Sequence, residues 1–310
     1  MTNNPKHIAV LLGGLSSERE VSLNSGAACA EALEGEGYKV TRIDVGHDIA
    51  QRLIETAPDV CFNALHGKWG EDGCIQGLLE TLRIPYTHSG VLASSVAMHK
   101  ERAKLVMHKA GVPVAESRLV LRSEVVQGDV MEPPYVVKPV DDGSSVGIFI
   151  IRDEGSNLLS KIESSGQPDD ELMVERYVPG RELTCAVMGS EALDVIEILP
   201  SEGLDFYDFE AKYTPGGSKH ILPAKISPNI YQLIQTLTVR AHVSLGCRGI
   251  SRADFRLDEK ADGSYDLACL EVNTQPGMTA TSLVPELAAY RGMSFGDLVR
   301  WIVEDASCDR

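Results

Sequence analysis

The sequence predicts an α/β chain in which a parallel-sheet domain comes first and two α+β parts follow. Three observations predict this. The first third alternates apolar strands with amphipathic helices. The middle third breaks into short strands around a glycine-serine loop. The last third carries longer strands interrupted by one clear helix. At ~100–200 residues per domain, 310 residues leave room for two or three such parts.

Each element has its own signal. Ile8–Leu12 is a continuous apolar run, the pattern of a parallel strand buried on both faces. Gly13-Gly14-Leu15-Ser16-Ser17 turns into a helix whose apolar face is Leu23, Ala27, Ala30 and Leu33, and Gly35 and Gly37 end it. A strand over 40–45, a helix over 49–57 and a strand over 59–65 follow, then a glycine-rich loop, Gly67–Gly73. Ile75, Leu78, Leu79 and Leu82 mark a third helix. Such a βαβαβα series forms a parallel sheet with right-handed crossovers. One helix is expected over 97–110, then strands over 118–121, 135–138, 148–152 and 172–177. Strands over 182–188 and 194–199 open the last third. Ile230, Leu233, Ile234, Leu237 and Ala241 line one helix face; strands over 249–257 and 265–272 precede a closing helix with Phe295, Leu298, Val299 and Ile302. The expected parts are residues 1–97, 98–181 and 182–310.

Composition removes several classes of function. With 43% hydrophobic and 24% charged residues the chain is globular. Its 29 Lys and Arg against 45 Asp and Glu give a net charge of −16, which repels nucleic acid unless a basic patch exists. The densest basic stretch, Lys100–Lys109, is interrupted by Glu101 and apolar residues, so no nucleic-acid partner is expected. No apolar run approaches the roughly 20 residues of a membrane span, and the polar start, Met1–His7, lacks a signal-peptide core. Seven scattered cysteines without a Cys-x-x-Cys pair read as reduced residues, mostly in the core, of a cytoplasmic protein.

Two nucleotide fingerprints are missing. There is no Walker-type Gly-x-x-x-x-Gly-Lys-Ser/Thr, and Gly13-Gly14 lacks dinucleotide-site spacing. The informative segments are Arg252-Ala-Asp254-Phe and Leu270-Glu271-Val-Asn273. Alternate residues of a strand share a face, so Arg252 and Asp254 point away from Ala253 and Phe255, and Glu271 and Asn273 away from Leu270 and Val272. If the strands pair, two carboxylates and an amide oxygen meet, a donor set for Mg²⁺ or Mn²⁺. Either segment alone reads better as the wet face of a hairpin; together, and followed by Thr274-Gln275-Pro276-Gly277-Met278-Thr279, they favour a metal site. Lys138 ends an apolar strand just before Gly143–Gly147, a loop able to wrap backbone N–H groups around phosphate. Glu18, in the first turn of the first helix, and His66, at the end of the third strand, stand at the carboxyl ends of the parallel strands. Ligands of open α/β sheets bind there. Tyr207-Asp-Phe-Glu-Ala-Lys212-Tyr213, aromatic and charged without periodicity, suits a lid over a polar ligand.

Taken in order along the whole chain, these segments resemble the D-alanine–D-alanine ligase family of the ATP-grasp superfamily. The match also includes Leu12-Gly-Gly-Leu-Ser-Ser-Glu18-Arg-Glu-Val-Ser22, Ala64-Leu-His66-Gly, Gly70-Glu-Asp-Gly73, Pro276-Gly-Met-Thr279 and Ser282-Leu283-Val-Pro285. The resemblance implies an N-terminal α/β domain and a two-part ATP-grasp fold closing on ATP with two Mg²⁺ or Mn²⁺ ions. It implies phosphate contacts from Lys100, Lys138 and Lys212. Glu175, Arg176, Tyr177, Val178 and Glu182 would surround the adenosine, and Asp254, Glu271 and Asn273 would hold the metals. Glu18 would take the ammonium of the first D-alanine and form a triad with Ser144 and Tyr213. Arg252 and the N–H of Gly277 would stabilise the oxyanion. His66 would lie beside the first substrate, with Ser282 and Leu283 near the second. Two positions depart from relatives, Gln275 and Tyr177; neither touches a proposed catalytic group, so the departures bear only on fine adenine packing and affinity. The implied activity joins two D-alanines through an acyl phosphate for bacterial cell-wall precursors, in the homodimer usual for the family. A D-lactate or D-serine ligase, or another ATP-grasp carboxylate–amine ligase, is the alternative.

Overall fold

The computed structural model describes residues 5–309 except 129, 142, 144–146, 154–157, 201–216 and 280. The first sheet holds β1 (His7–Leu12), β2 (Lys39–Asp44) and β3 (Val60–Asn63) in the order β2-β1-β3, all parallel. Its middle strand is buried on both faces, as its unbroken apolar sequence requires. Ile8, Val10 and Leu12 face α1 (Arg19–Gly35) together with two C-terminal helices, α9 (Leu283–Tyr290) and α10 (Phe295–Glu304). Ala9 and Leu11 face the other way, towards α2 (Ile49–Thr56) and α3 (Cys74–Leu82). The end of the chain thus closes the core of its beginning.

A four-stranded antiparallel sheet follows, ordered β4-β7-β5-β6 from β4 (Ser117–Leu121), β5 (Tyr135–Pro139), β6 (Phe149–Ile151) and β7 (Glu171–Arg176). Val137, Leu172 and Val174 pack beneath α6 (Arg122–Gln127) and α7 (Leu158–Ser164). Alternation therefore turns Lys138 and Glu175 to the opposite face. The third sheet is antiparallel, β10-β9-β8-β11-β12. Its strands are β8 (Arg181–Met188), β9 (Glu191–Pro200), β10 (Ser218–Ile221), β11 (Ile250–Glu259) and β12 (Tyr265–Asn273). Leu183, Ala253, Phe255 and Leu257 are buried against α8 (Pro228–Leu245), which starts on a Ser227 cap with Pro228 in its first turn and ends at Gly246 with φ +73°. No helix among the described residues is long and apolar enough to cross a membrane. All seven cysteines are free, and five of them are buried.

Two local differences from the sequence expectation matter for the site. The single helix expected over 97–110 is two, α4 (Val91–Met98) and α5 (Lys100–Lys109). His99 between them is extended, at φ −89° and ψ 97°, and Lys100 N–H donates to the carbonyl of Val140 at 2.9 Å instead of back along a helix. A distant carbonyl thus sets where α5 begins. On β12, Leu270 was expected to lie opposite Glu271 in the core. The register instead shifts between Asp254 and Phe255, leaving Leu270 as the extra, half-buried residue of a bulge, while Cys269 and Val272 fill the core.

Burial also gives the fold an acid limit. His242 on α8 is 4% exposed and bonds Ser251 through Nδ1 at 2.7 Å. Burial outweighs the attraction of Asp305 and pushes its pKa from 6.5 down to about 4. The unfolded chain takes up this proton first, so the stability present above pH 6.5 is lost as pH falls towards 4. By pH 5 the loss from this group is roughly 2 kcal/mol. Urea unfolding at pH 7.5 and pH 5 is expected to show that extra loss in the wild type and not in His242→Gln.

Candidate active site

The candidate residues are drawn from all three sheets and from the segments that follow their strands. On the first sheet's side, Glu18 is the N-cap residue of α1, 7% exposed, with its N–H bonded to Ser16 Oγ at 3.2 Å. Its carboxylate rests on two glycines from different parts of the chain. A Cβ on Gly67 (φ +69°), just after β3, or on Gly143, after β5, would collide with it. His66 is 6% exposed; its Nδ1 pairs with Glu71 Oε1 at 2.8 Å and its Nε2 with Ser25 Oγ at 3.2 Å. Ser25 also accepts the N–H of Met278 at 3.4 Å, next to Gly277.

A second bond set ties the same regions together. Asn63 Nδ2 donates to Gln275 Oε1 at 2.6 Å and to the Gly70 carbonyl at 3.0 Å, and Gln275 Nε2 donates to the Leu65 carbonyl. Gln275 is 3% exposed. The departure at Gln275 therefore bears on more than adenine packing and affinity: this residue joins the segment after β12 to the end of β3, beside His66. Gln275→Ala leaves the Leu65 carbonyl without this donor, which costs about 1–3 kcal/mol for a buried group. Urea unfolding should show a loss in that range. Ser282 accepts the N–H of Thr279 at 2.9 Å and caps the end of the same segment. The Leu283 side chain is buried in the core, and its backbone N–H lies in the first turn of α9.

On the third sheet, β11 and β12 pair so that Asp254 lies opposite Glu271 and Arg252 opposite Asn273. Arg252 grips Asp254 with two bonds, Nε to Oδ1 at 2.9 Å and Nη2 to Oδ2 at 2.8 Å. Thr184 Oγ1 donates to Oδ1 at 2.6 Å and Asn273 Nδ2 to Oδ2 at 3.1 Å. Lys100 Nζ stands 3.9 Å from Glu271 Oε2. Among the described residues no three histidine, cysteine or carboxylate side chains converge. The set here is two carboxylates and one amide, all oxygen donors. It fits Mg²⁺ or Mn²⁺, which take one or two carboxylates and complete their shell with phosphate oxygens and water.

Between the second and third sheets lie the remaining candidates. Lys138 donates to Glu175 Oε1 at 2.9 Å; the two are 5% and 2% exposed. Burial alone would raise the Glu175 carboxyl, but the ammoniums of Lys138 and Lys104 outweigh it and hold it below its ordinary value. Residues 177–180 connect β7 to β8. Tyr177 lies under the guanidinium of Arg256 at 5.7 Å and that of Arg152 at 5.6 Å. Arg256 also donates to the Val178 carbonyl at 3.1 Å and to Glu182 at 3.4 Å, and Arg176 pairs with Asp266 at 2.7 Å. Lys100, Lys104, Lys138 and Arg252 each meet a carboxylate here: Glu271 for Lys100, Glu175 for Lys104 and Lys138, and Asp254 for Arg252. Ser144, Lys212 and Tyr213 lie outside the described residues.

Comparison with known proteins decides the family. The model described as D-ala D-ala ligase C-terminus matches residues 106–304, and that described as D-ala D-ala ligase N-terminus matches residues 46–89. A D-alanine–D-alanine ligase of Parvibaculum lavamentivorans is 60% identical over 306 residues, 98% of this chain and 99% of that one. The chain belongs to the D-alanine–D-alanine ligase family. The crystal structure of the Bacillus anthracis D-alanine–D-alanine ligase is 32% identical and superposes with a TM-score of 0.82 over 97% of each chain. Its complex with ATP gives 0.81 at 31% identity, covering 98% and 97%. The expected fold class, a parallel α/β domain followed by a two-part ATP-grasp fold, holds.

Sequence reasoning missed several side chains of this ligase-family cleft. Ser25 lies two helical turns beyond Glu18, and Glu18, Ser22 and Ser25 form a buried polar stripe on α1 whose spacing was visible. Lys104 lies one turn beyond Lys100 on α5. Thr184 faces Asp254 only through the pairing of β8 with β11, which no local pattern announces.

Proposed function

We propose that this chain condenses two D-alanine molecules into D-alanyl-D-alanine, driven by ATP, for bacterial cell-wall precursors. The observation that carries this reading is the hydrogen-bonded join between the end of β3 and the segment after β12. It brings Glu18 and His66, suited to an amino acid, beside the strand pair that holds Arg252, Asp254, Glu271 and Asn273.

Residues 1–97 hold the first amino acid in this scheme, residues 98–181 and 182–310 hold ATP between their sheets, and residues 182–310 also supply the contacts to the second amino acid. The Glu18 carboxylate takes the ammonium of the first D-alanine, with His66 beside it. Lys100 and Lys138, and Lys212 from the lid, hold the phosphates. Glu175, Tyr177, Val178 and Glu182 line the adenosine, with Arg176 fixing their strand end to Asp266. Two Mg²⁺ or Mn²⁺ ions at Asp254, Glu271 and Asn273 would supply charge neutralisation at the phosphates. The first D-alanine's carboxylate oxygen takes the γ-phosphoryl group and ADP leaves. The free amine of the second D-alanine, oriented by Ser282 and the Leu283 N–H, attacks the acyl carbon, and phosphate departs. Arg252 and the Gly277 N–H meet the negative oxygen that develops, the role in which fixed donors contribute most. Glu18, Ser144 and Tyr213 are assigned the triad in this scheme. The setting proposed is a cytoplasmic homodimer.

The D-lactate-using alternative differs in nucleophile. An amine must arrive deprotonated, whereas a hydroxyl arrives neutral. Mass analysis of products formed with D-alanine and D-lactate both present tests this: the dipeptide is expected to dominate, and a dominant ester would transfer the chain to the alternative.

A further inference from the structure

Lys100 and Lys104 share the buried face of α5, one turn apart, with Ala103 and Met107. Their ammoniums go to different sheets. Lys100 approaches Glu271 on β12, and Lys104 donates to Glu175 on β7. Lys104 is 3% exposed, a depth at which a lysine is almost never found unless it is paired. Burial pulls its pKa down, and the charge of Glu175 opposes that shift. The two oxygens of Glu175 are divided: Oε1 accepts from Lys138 at 2.9 Å, and Oε2 accepts from Lys104.

That division has a consequence for the nucleotide. If Glu175 had only Lys138 as a partner, both oxygens could turn onto it and draw its ammonium away from a phosphate. With one oxygen pinned from α5, Lys138 and the other oxygen keep their alignment. We propose that Lys104 is a positioning residue for nucleotide binding, acting through Glu175 rather than by touching the nucleotide. This rests on the assignment of Glu175 and Lys138 to the ATP site. The interaction is the same before and during the reaction, so it sets affinity and leaves turnover alone. α5 then spans the cleft with one lysine for the metal-ligand strand and one for the base-side carboxylate.

The test is a double-mutant cycle on the full chain, read by calorimetric ATP binding and by steady-state kinetics. Lys104→Met keeps the side chain's length and removes its charge. It is expected to weaken ATP by about 10–100-fold, the range spanned by one hydrogen bond to a charged group, with kcat nearly unchanged. In a Glu175→Gln background the same substitution is expected to cause no further loss, because the carboxylate it serves is gone. The same fold loss in both backgrounds, or a fall in kcat at constant ATP affinity, would overturn the proposal. Should Lys104→Met fail to fold, Glu175→Gln and the double variant still decide the matter, since neither carries the buried carboxylate that Lys104→Met leaves with one partner fewer. Equal ATP affinity in those two supports the proposal, and a further loss in the double variant overturns it. Wild type that binds ATP while Lys104→Met binds equally well refutes the role of Lys104 alone. Wild type that binds no ATP refutes the nucleotide site itself.

Discussion

Glu271→Gln is expected to lower kcat by at least about 10²-fold while leaving the fold intact. Groups that only orient a metal's ligands cost about 10–100-fold when removed, and a ligand should cost more. Glu271 lies directly opposite Asp254 in the β11–β12 register, and its side chain is 30% exposed, so its amide is accommodated without burying a new polar group. The substitution changes charge at nearly constant shape. Thermal unfolding should therefore move little, and turnover at ordinary Mg²⁺ should collapse. Near wild-type turnover would remove Glu271 from the metal site.

Arg252→Ala is expected to cost about 10²–10³ in kcat, the usual price of one oxyanion donor, with a smaller effect on ATP KM. Asp254 keeps the bonds from Thr184 and Asn273, so the strand pair retains its register. A variant whose only defect is a raised ATP KM would instead assign Arg252 to the nucleotide.

Much of this site was legible because strand alternation is a local property. Arg252 and Asp254, and Glu271 and Asn273, could be assigned to the wet faces of their strands from period two alone, and the pairing of β11 with β12 brings them together. Lys138 was legible as a charge ending an apolar run. Lys104 was not, because a lysine on a helix ordinarily reads as a solvated face; it is buried only because two sheets approach α5 from different sides. The break at His99 was hidden for a related reason, since the carbonyl that fixes Lys100 belongs to Val140, 40 residues further along. Gln275 was read as peripheral because its partners, Asn63 and Leu65, lie more than 200 positions earlier. The C-terminal helices α9 and α10 sharing a core with β1 was equally invisible, as periodicity shows that a face is apolar and not what covers it.

The most direct test of the central claim is phosphate release by the purified chain with ATP and Mg²⁺, with D-alanine, L-alanine, D-lactate or D-serine as the added acid, and the product identified by mass. The expected result is phosphate release that depends on D-alanine and matches D-alanyl-D-alanine formation one for one, with little release on L-alanine. Release that ignores D-alanine, or that rises with another acid alone, would contradict the assignment of this cleft to D-alanine ligation.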